Sequence, residues 1–412
     1  MVRRLSTKLF QREYATFRDP LITYFREEAL PNAVTFLDPM AGTAPLIPHI
    51  EEMSRSRGIT TFAHFNDILP HHMHINRAKT YKVCRAVRRC HEDDPQYLES
   101  QLLMYLAPLR KKSVLPSNDM VHEDVLRILN EAWYQAADNP EPLCHFFRAV
   151  ILLCVRPYSC ISSGKTNYTW TRSGGITTHI PLNVNVRNAI SKLLEFYDLF
   201  YKKMKGPSVT RFRFTSLDAV KLKSDELFDT VVTSPPYQNR TDYRRIHAPE
   251  LYFLSQLGAL HDRDLLDKSI LGTIKVRDYT DFDLDLEVLS RVSPSISRFI
   301  ATISRKQPEK KNENYYYPKG FARFYRDLFK AYDNVLSLLA PHATLYIGVQ
   351  NNIHRGTVNT MADFLVEYFT LKGYKAKTDR VWQVNHQGKR NISSEYPLVL
   401  DKHLESIVKV CT

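Results

Sequence analysis

The sequence predicts the α/β class: an open, mostly parallel sheet with a largely helical insertion. Three observations carry that expectation. Four short apolar segments each run into a polar or acidic residue: Ala33–Leu37 into Asp38, Thr60–Phe65 toward Asp67, Phe212–Ser216 toward Asp218, and Phe228–Val232 into Thr233 and Ser234. Between the second and third lies a long stretch, about residues 77 to 205, in which apolar residues recur at helical spacing. After the fourth, helix-like and strand-like segments continue to the end. Successive strands with ligand groups at their carboxyl ends are what an open Rossmann-like sheet requires.

Bulk properties bound the partners. With 412 residues and 43% hydrophobic content, the chain can bury the core of one large domain plus an insertion, or of two domains. A net charge of +13 favours a polyanionic partner, because each neutralised phosphate releases counterions. No run approaches the roughly 18 to 20 apolar residues of a membrane span. Met1-Val-Arg-Arg-Leu-Ser6 is not followed by an apolar stretch, so no secretory signal and a cytoplasmic location are expected. None of the six cysteines forms a CxxC pair, and reduced core residues are expected.

Residues 1 to 30 carry charged and aromatic residues at a roughly helical period. The first strand then runs into Asp38-Pro39-Met40-Ala41-Gly42-Thr43-Ala44-Pro45, a small-residue turn with Pro45 at a plausible first helical position. Such a strand, loop and helix form a cradle for a cofactor, and Gly42 permits a positive φ there. The second strand leads to Asn66-Asp67-Ile68-Leu69-Pro70, where an acidic group can hold ribose hydroxyls. His64, His71, His72 and His74 cluster nearby without cysteine or carboxylate mates; they read as solvated loop residues, and no metal site is expected.

The stretch from 77 to 205 has helical periods at Val125–Ala137 and Leu143–Val155 and basic clusters at Arg85–Arg89 and Arg110–Lys112. Ser162–Asn167 is no phosphate loop, because the first glycine of that motif would fall at Ser159. Tyr158–His179 interleaves Lys165, Trp170 and Arg172 in a polar loop, which suits nucleic-acid contact and equally suits a plain surface.

The fourth strand, Thr230–Val232, stops at Thr233-Ser234-Pro235-Pro236-Tyr237. Two prolines lack an N–H and fix φ, so the strand must turn into a stiff loop. That loop carries a hydroxyl at Ser234, backbone carbonyls that the prolines cannot occupy, and an aromatic face at Tyr237. Rigid acceptors beside a stacking ring suit a flat heterocycle with an exocyclic amino group. Beyond them lie Arg240, Arg244 and Arg245, then Glu250–Leu254. Residues 260 to 318 are charge-rich, with Lys306–Lys311 expected to be exposed. A helix over Phe321–Leu339, a strand over Thr344–Val349, a turn over Gln350–Gly356, a helix over Val358–Leu371 and a closing antiparallel pair, Tyr374–Val384 with Tyr396–Leu400, complete the expected order.

Thr-Ser-Pro-Pro-Tyr resembles the catalytic motif of the S-adenosylmethionine-dependent DNA amino-methyltransferases, which modify the exocyclic nitrogen of cytosine or adenine. Asp38, Pro39 and Gly42 fall on the cofactor loop that this family writes DPFxGxGT; Met40, Ala44 and Pro45 depart from it. Asp67 and Pro70 match its "D-I-N-P" segment, and the continuation past Tyr237 matches its "N..DY" and "EL..L" pieces. The resemblance covers roughly 20 to 75 and 210 to 402, apart from about 260 to 315. It implies a seven-stranded Rossmann-like methyltransferase sheet, with a catalytic domain at 1–76 and 206–412 and a mainly helical insertion at 77–205 as the leading target-recognition candidate. It further implies S-adenosylmethionine held by Asp38, Pro39, Gly42, Thr43, Asp67, Asp218 and Thr233, and catalysis by Ser234, Pro235, Pro236 and Tyr237. Lys165, Arg172, Arg240, Arg244 and Arg245 become candidates for the phosphates of double-stranded DNA, and a cognate restriction endonuclease a candidate partner. Ser234, in place of the Asp of "DPPY", points to N4 of cytosine; N6 of adenine, an RNA substrate, or a catalytically silent nucleic-acid-binding module are the alternatives.

Overall fold

The structure, a computed structural model, describes residues 19–94, 96–105, 121, 123–159, 181–236, 243–258, 270–271, 281–306, 313–354, 356–383 and 404–412. Nine strands are present among them. They are β1 (Thr35–Asp38), β2 (Thr61–Asn66), β3 (Thr210–Thr215), β4 (Phe228–Thr233), β5 (Leu339–Gln350), β6 (Asn352–His354), β7 (Thr357–Asn359), β8 (Lys375–Gln383) and β9 (Leu404–Cys411). Seven form one sheet in the order β3-β2-β1-β4-β5-β9-β8, and β6 and β7 form a separate hairpin. The fold is therefore α/β and Rossmann-like, with β9 antiparallel to both of its neighbours.

The strands are strands for recognisable reasons. β1 and β4 are buried along almost their whole length and carry apolar and β-branched residues without alternation, the pattern of a parallel strand covered on both faces. β3 alternates Thr-Arg-Phe-Arg-Phe-Thr and is half exposed, as a sheet edge tolerates. β8, at the opposite edge, carries Lys375, Lys377 and Arg380, charges that discourage pairing with another chain.

Two compact units emerge. The first comprises 1–16, 42–216 and 244–267; the second comprises 17–41, 217–243 and 268–412. The first unit contains β2 and β3, paired in parallel from Thr61 opposite Thr210 to Asn66 opposite Thr215. It also contains the helices Pro70–Ala78, Tyr81–Asp93, Tyr97–Tyr105, Glu123–Gln135, Glu141–Val155, Leu182–Tyr201 and Ala248–Gln256. Helix Glu141–Val155 is apolar nearly all round and buries Phe146, Phe147, Val150, Ile151 and Leu152, which makes it the axis of the helical body. The same core takes in Ile75 and Ala78 before it and Phe253 and Leu254 after it. The expected helical stretch therefore shares its core with the helices on either side. Tyr197 and Tyr201 donate hydrogen bonds to the carbonyls of Ala78 (2.7 Å) and Lys79 (2.6 Å), capping the end of helix Pro70–Ala78.

The second unit contains β1, β4, β5, β8 and β9 with helices Glu313–Leu336 and Met361–Leu371. Those helices meet through aromatic rings: Phe329 stacks on Tyr368 at 4.0 Å between centroids, and Tyr325 meets Phe364 edge-on. At the start of β1 and β4, Asp229 Oδ2 accepts from the Val34 and Thr35 amides (3.0 and 2.9 Å), while Thr35 Oγ1 accepts from the Asp229 amide. That clamp fixes a register in which Phe36 faces Thr230 and Leu37 faces Val231.

Several expectations need correction. The helix after the first loop begins at Ile47, with Pro48 rather than Pro45 in its first turn. The histidines are not solvated: His64 lies buried in β2, and His71 and His72 are buried on helix Pro70–Ala78. The partner of β8 is Leu404–Cys411, while Tyr396–Leu400 lies outside the described residues. The expected turn at 350–356 contains β6, and the helix expected to reach Leu339 ends at Leu336, β5 taking over at Leu339. Cys84, Cys144 and Cys154 are buried free thiols, as expected, whereas Cys90 and Cys411 are half-buried and Cys160 lies outside the described residues. No helix among the described residues is long and apolar enough to cross a membrane.

The burial of His64 has a measurable consequence. Its Nε2 lies 2.7 Å from Thr215 Oγ1, and burial, with Arg213 nearby, pulls the ring pKa down to about 4. The unfolded chain, titrating near 6.5, binds that proton more readily. Stability is therefore full above about pH 6.5, falls as the pH drops toward 4, and by then has lost on the order of 3 kcal/mol from this residue. Urea unfolding of His64→Gln between pH 7 and 4.5 should show the pH slope reduced by up to one proton. An unchanged slope would contradict the buried neutral ring.

Candidate active site

In the second unit the parallel register brings two chemically distinctive strand ends side by side. Leu37 faces Val231, so Asp38 at the end of β1 lies beside Val232, one residue short of Thr233-Ser234-Pro235-Pro236. Asp38 is fully buried, and its Oδ1 accepts from the Met40 amide at 3.2 Å, turning the chain just past the strand. Thr233 is buried and its hydroxyl has no hydrogen-bond partner. Pro235 is buried, while Ser234 and Pro236 are half-buried and reach the surface side of the loop.

The strand order explains why these two ends matter. In β3-β2-β1-β4-β5 the direction of winding reverses between β1 and β4. In open α/β sheets the crevice outside the carboxyl ends at that switch point is where ligands bind.

Two groups join the site that the motifs did not point to. Tyr332, on helix Glu313–Leu336, is fully buried with an unpartnered hydroxyl. Burial pushes that hydroxyl well above its ordinary pKa, and the neighbouring Asp38 carboxylate adds to the effect, so it stays a neutral donor. β5 pairs in parallel with β4, Thr233 facing Ile347, and beyond it come Gln350, Asn351 and Asn352, all buried. Asn351 Oδ1 lacks a partner. Buried polar atoms are normally satisfied, so unpartnered ones gathered at strand ends are a place for a polar ligand. Three amides in a row after an apolar strand repeat the strand-end pattern seen at Asp38 and Asp67; that was the available signal. Tyr332 had none, since on a strongly amphipathic helix it reads as core.

Asp218 is placed differently. It caps a short 3-10 turn by accepting from the Val220 amide at 3.1 Å, and that turn is tied to helix Glu313–Leu336 through Asn334, which donates to the Ala219 and Leu222 carbonyls. Pro39 follows Asp38 in the turn.

In the first unit the remaining loop candidates are held by the chain itself. Gly42 has φ +51° and Ala44 φ +43°. The left-handed conformation is thus adopted by an alanine where the resembled loop has glycine, a strain of roughly 1 kcal/mol. Three partners hold it in place. Asp67 Oδ2 accepts from the Gly42 amide at 2.8 Å, Asn76 Nδ2 donates to the Gly42 carbonyl at 2.8 Å, and the buried Lys79 Nζ donates to the Thr43 carbonyl at 2.5 Å. Thr43 itself is buried with its hydroxyl unpartnered. Asp67 Oδ1 also accepts from the Leu69 amide (2.8 Å) and faces His72 Nδ1 (3.1 Å). With three of about four acceptor directions used, Asp67 is a tie for the loop.

Arg244 and Arg245 fall on the short helix Tyr243–Ile246. Tyr237, Arg240, Lys165 and Arg172 lie outside the described residues. No protein-family model matches this chain, and a search of curated proteins finds no match.

Proposed function

We propose that this chain transfers a methyl group from S-adenosylmethionine to the exocyclic N4 amine of cytosine in duplex DNA, as the modifying partner of a restriction endonuclease or a similar defence system. One observation carries the reading. The acidic end of β1 and the Thr-Ser-Pro-Pro end of β4 are register neighbours at the switch point of the sheet.

The residues present fit the cofactor. A buried carboxylate at Asp38 suits a cationic ligand, and the unpartnered hydroxyls of Tyr332 and Thr233 offer hydrogen bonds to its polar groups. Asp218 keeps the oxygen that its cap does not use, and Asp67 is the ribose candidate on the sequence resemblance alone. When bound, S-adenosylmethionine supplies an electrophilic methyl carbon. Everything else falls to the chain. A base flipped from the duplex stacks on Tyr237. The Ser234 hydroxyl and the Pro235 carbonyl accept the amine hydrogens, which directs the nitrogen lone pair toward the methyl carbon as bonding begins. The amine would displace the neutral thioether S-adenosylhomocysteine from the methyl carbon, the nitrogen would carry the positive charge that the sulfur gives up, and it would then lose a proton to solvent, so no strong base is needed beforehand. Lys165, Arg172, Arg240, Arg244 and Arg245, within a chain of net charge +13, serve the phosphates around the target.

The test is direct. Duplex DNA incubated with labelled cofactor, digested to nucleosides and resolved should carry the label on N4-methylcytosine. Label on N6-methyladenine would overturn the choice of base. Label on RNA alone would overturn the substrate, and no transfer to either polymer would overturn the reading.

A further inference from the structure

We propose that His71, His72 and His247 form a binding site for one divalent transition-metal ion of the zinc class, with three imidazole ligands and an open fourth position. This goes beyond methyl transfer and does not rest on it. All three rings belong to the first unit: two lie on helix Pro70–Ala78, and the third immediately precedes helix Ala248–Gln256.

Each ring offers one nitrogen such that the three lie within 4.8 Å of one another, and all three residues are buried. The centroids of His71 and His72 are 4.3 Å apart, those of His71 and His247 4.6 Å, and those of His72 and His247 4.9 Å. Zinc–nitrogen bonds of about 2.0–2.1 Å need nitrogens roughly 3.4 Å apart in a tetrahedral shell. His71 Nε2 already lies 3.0 Å from His247 Nδ1.

Part of the cluster is satisfied, His71 Nε2 by His247 Nδ1 and His72 Nδ1 by Asp67, and part is not. His71 Nδ1 and His72 Nε2 are buried with no hydrogen-bond partner. Asp67 supplies the second argument. Its Oδ1 lies 3.1 Å from His72 Nδ1, which places the ring proton on Nδ1 and leaves the lone pair on the unpartnered Nε2. Carboxylate, histidine and metal in that sequence are how proteins orient a ligating ring. Arg156 lies close to the cluster, its Nη2 donating to the carbonyl of Ile246, the residue before His247. Arg156 does not oppose the ion with an unmatched charge, because both carboxylate oxygens of buried Glu250 face its guanidinium. A nitrogen-only donor set favours zinc, cobalt, nickel or copper over the oxygen-seeking magnesium and calcium. Bound there, the ion would fasten helix Pro70–Ala78 to the segment that follows the catalytic loop in sequence.

The test uses the full chain stripped of metal with EDTA and titrated with Co(II). Expected are one equivalent bound per chain, the visible absorption of four-coordinate nitrogen-ligated cobalt, and a rise in melting temperature. His247→Gln should weaken cobalt binding tenfold or more, and Asp67→Asn by roughly 10–100-fold. His49→Gln, on helix Ile47–Arg57, should bind as wild type does; circular dichroism of the metal-free variants checks that they fold. Absence of saturable one-equivalent uptake by the wild-type chain overturns the site whatever the variants do. So does wild-type affinity in a folded His247→Gln.

Discussion

Ser234→Ala should slow methyl transfer to duplex DNA by about 100-fold while leaving cofactor affinity and melting temperature almost unchanged. The side chain sits half-buried where β4 has ended, and the buried residues of that strand are Phe228 and Thr230 to Thr233. Removing one hydroxyl there opens no cavity in the core. On the proposed function, what would be lost is an acceptor that holds the amine in its reactive orientation, an interaction that would strengthen as the nitrogen gains positive charge. Loss of one pre-organised hydrogen bond to a transition state costs roughly 10²–10³ in kcat. Because it acts on the transition state more than on bound substrate, kcat should fall and KM for DNA should move little. Asp38→Asn separates the cofactor contribution: it should weaken cofactor binding tenfold or more, measured by calorimetry without DNA. If Ser234→Ala instead raised KM alone, the hydroxyl would be a docking group and the assigned chemistry would fail.

Arg156→Ala is the substitution expected to cost most in stability, about 3–5 kcal/mol. Arg156 Nε and Nη2 reach the two carboxylate oxygens of Glu250 at 2.9 and 2.7 Å, and Nη2 also donates to the Ile246 carbonyl at 2.8 Å. Glu250 is fully buried, so truncating the arginine strands a carboxylate away from water. Burial alone already pushes the Glu250 pKa up, and Arg156 is what opposes that shift. Without the arginine the folded carboxyl holds its proton to higher pH than an unfolded one does. The deficit should therefore be larger at pH 8 than at pH 5, and urea unfolding at both values checks the sign. The double variant Arg156→Met with Glu250→Leu should recover most of the loss, since removing both charges leaves no buried charge unpaired. A cost below about 1 kcal/mol for Arg156→Ala would mean that Glu250 reaches water.

The parts of this protein that were legible in sequence are those governed by local rules. β1, β2 and β4 announce themselves as short apolar runs stopped by Asp38, Asn66-Asp67 and Pro235-Pro236, because prolines, glycines and short acids end strands through φ restriction and side-chain hydrogen bonding, which need no distant partner. Gly42 was read as permitting a positive φ and takes one; Ala44, two residues on, takes one as well. Helices Glu123–Gln135 and Glu141–Val155 follow from periodicity within a few residues of their bounds. β9 escaped notice because Leu-Glu-Ser-Ile-Val-Lys-Val-Cys breaks its apolar residues with Glu405, Ser406 and Lys409, and its strand state depends on hydrogen bonds from β5 and β8 on either side.

By itself, then, the sequence determined the α/β class, most strand ends, and the two strand-end motifs. Each is settled by backbone sterics and hydrophobic period over about ten residues. The tertiary structure alone decided the order of the sheet, the neighbourhood of Asp38 with Thr233 and Tyr332, the burial of Glu250 against Arg156, and the histidine cluster. His71 and His247 are separated by 176 positions, and the residues between them say nothing of that meeting. His71 and His72 read as solvated because a histidine is as much at home in a wet loop as in a core. Which of the two it occupies depends on packing from distant segments, and no local spacing records it.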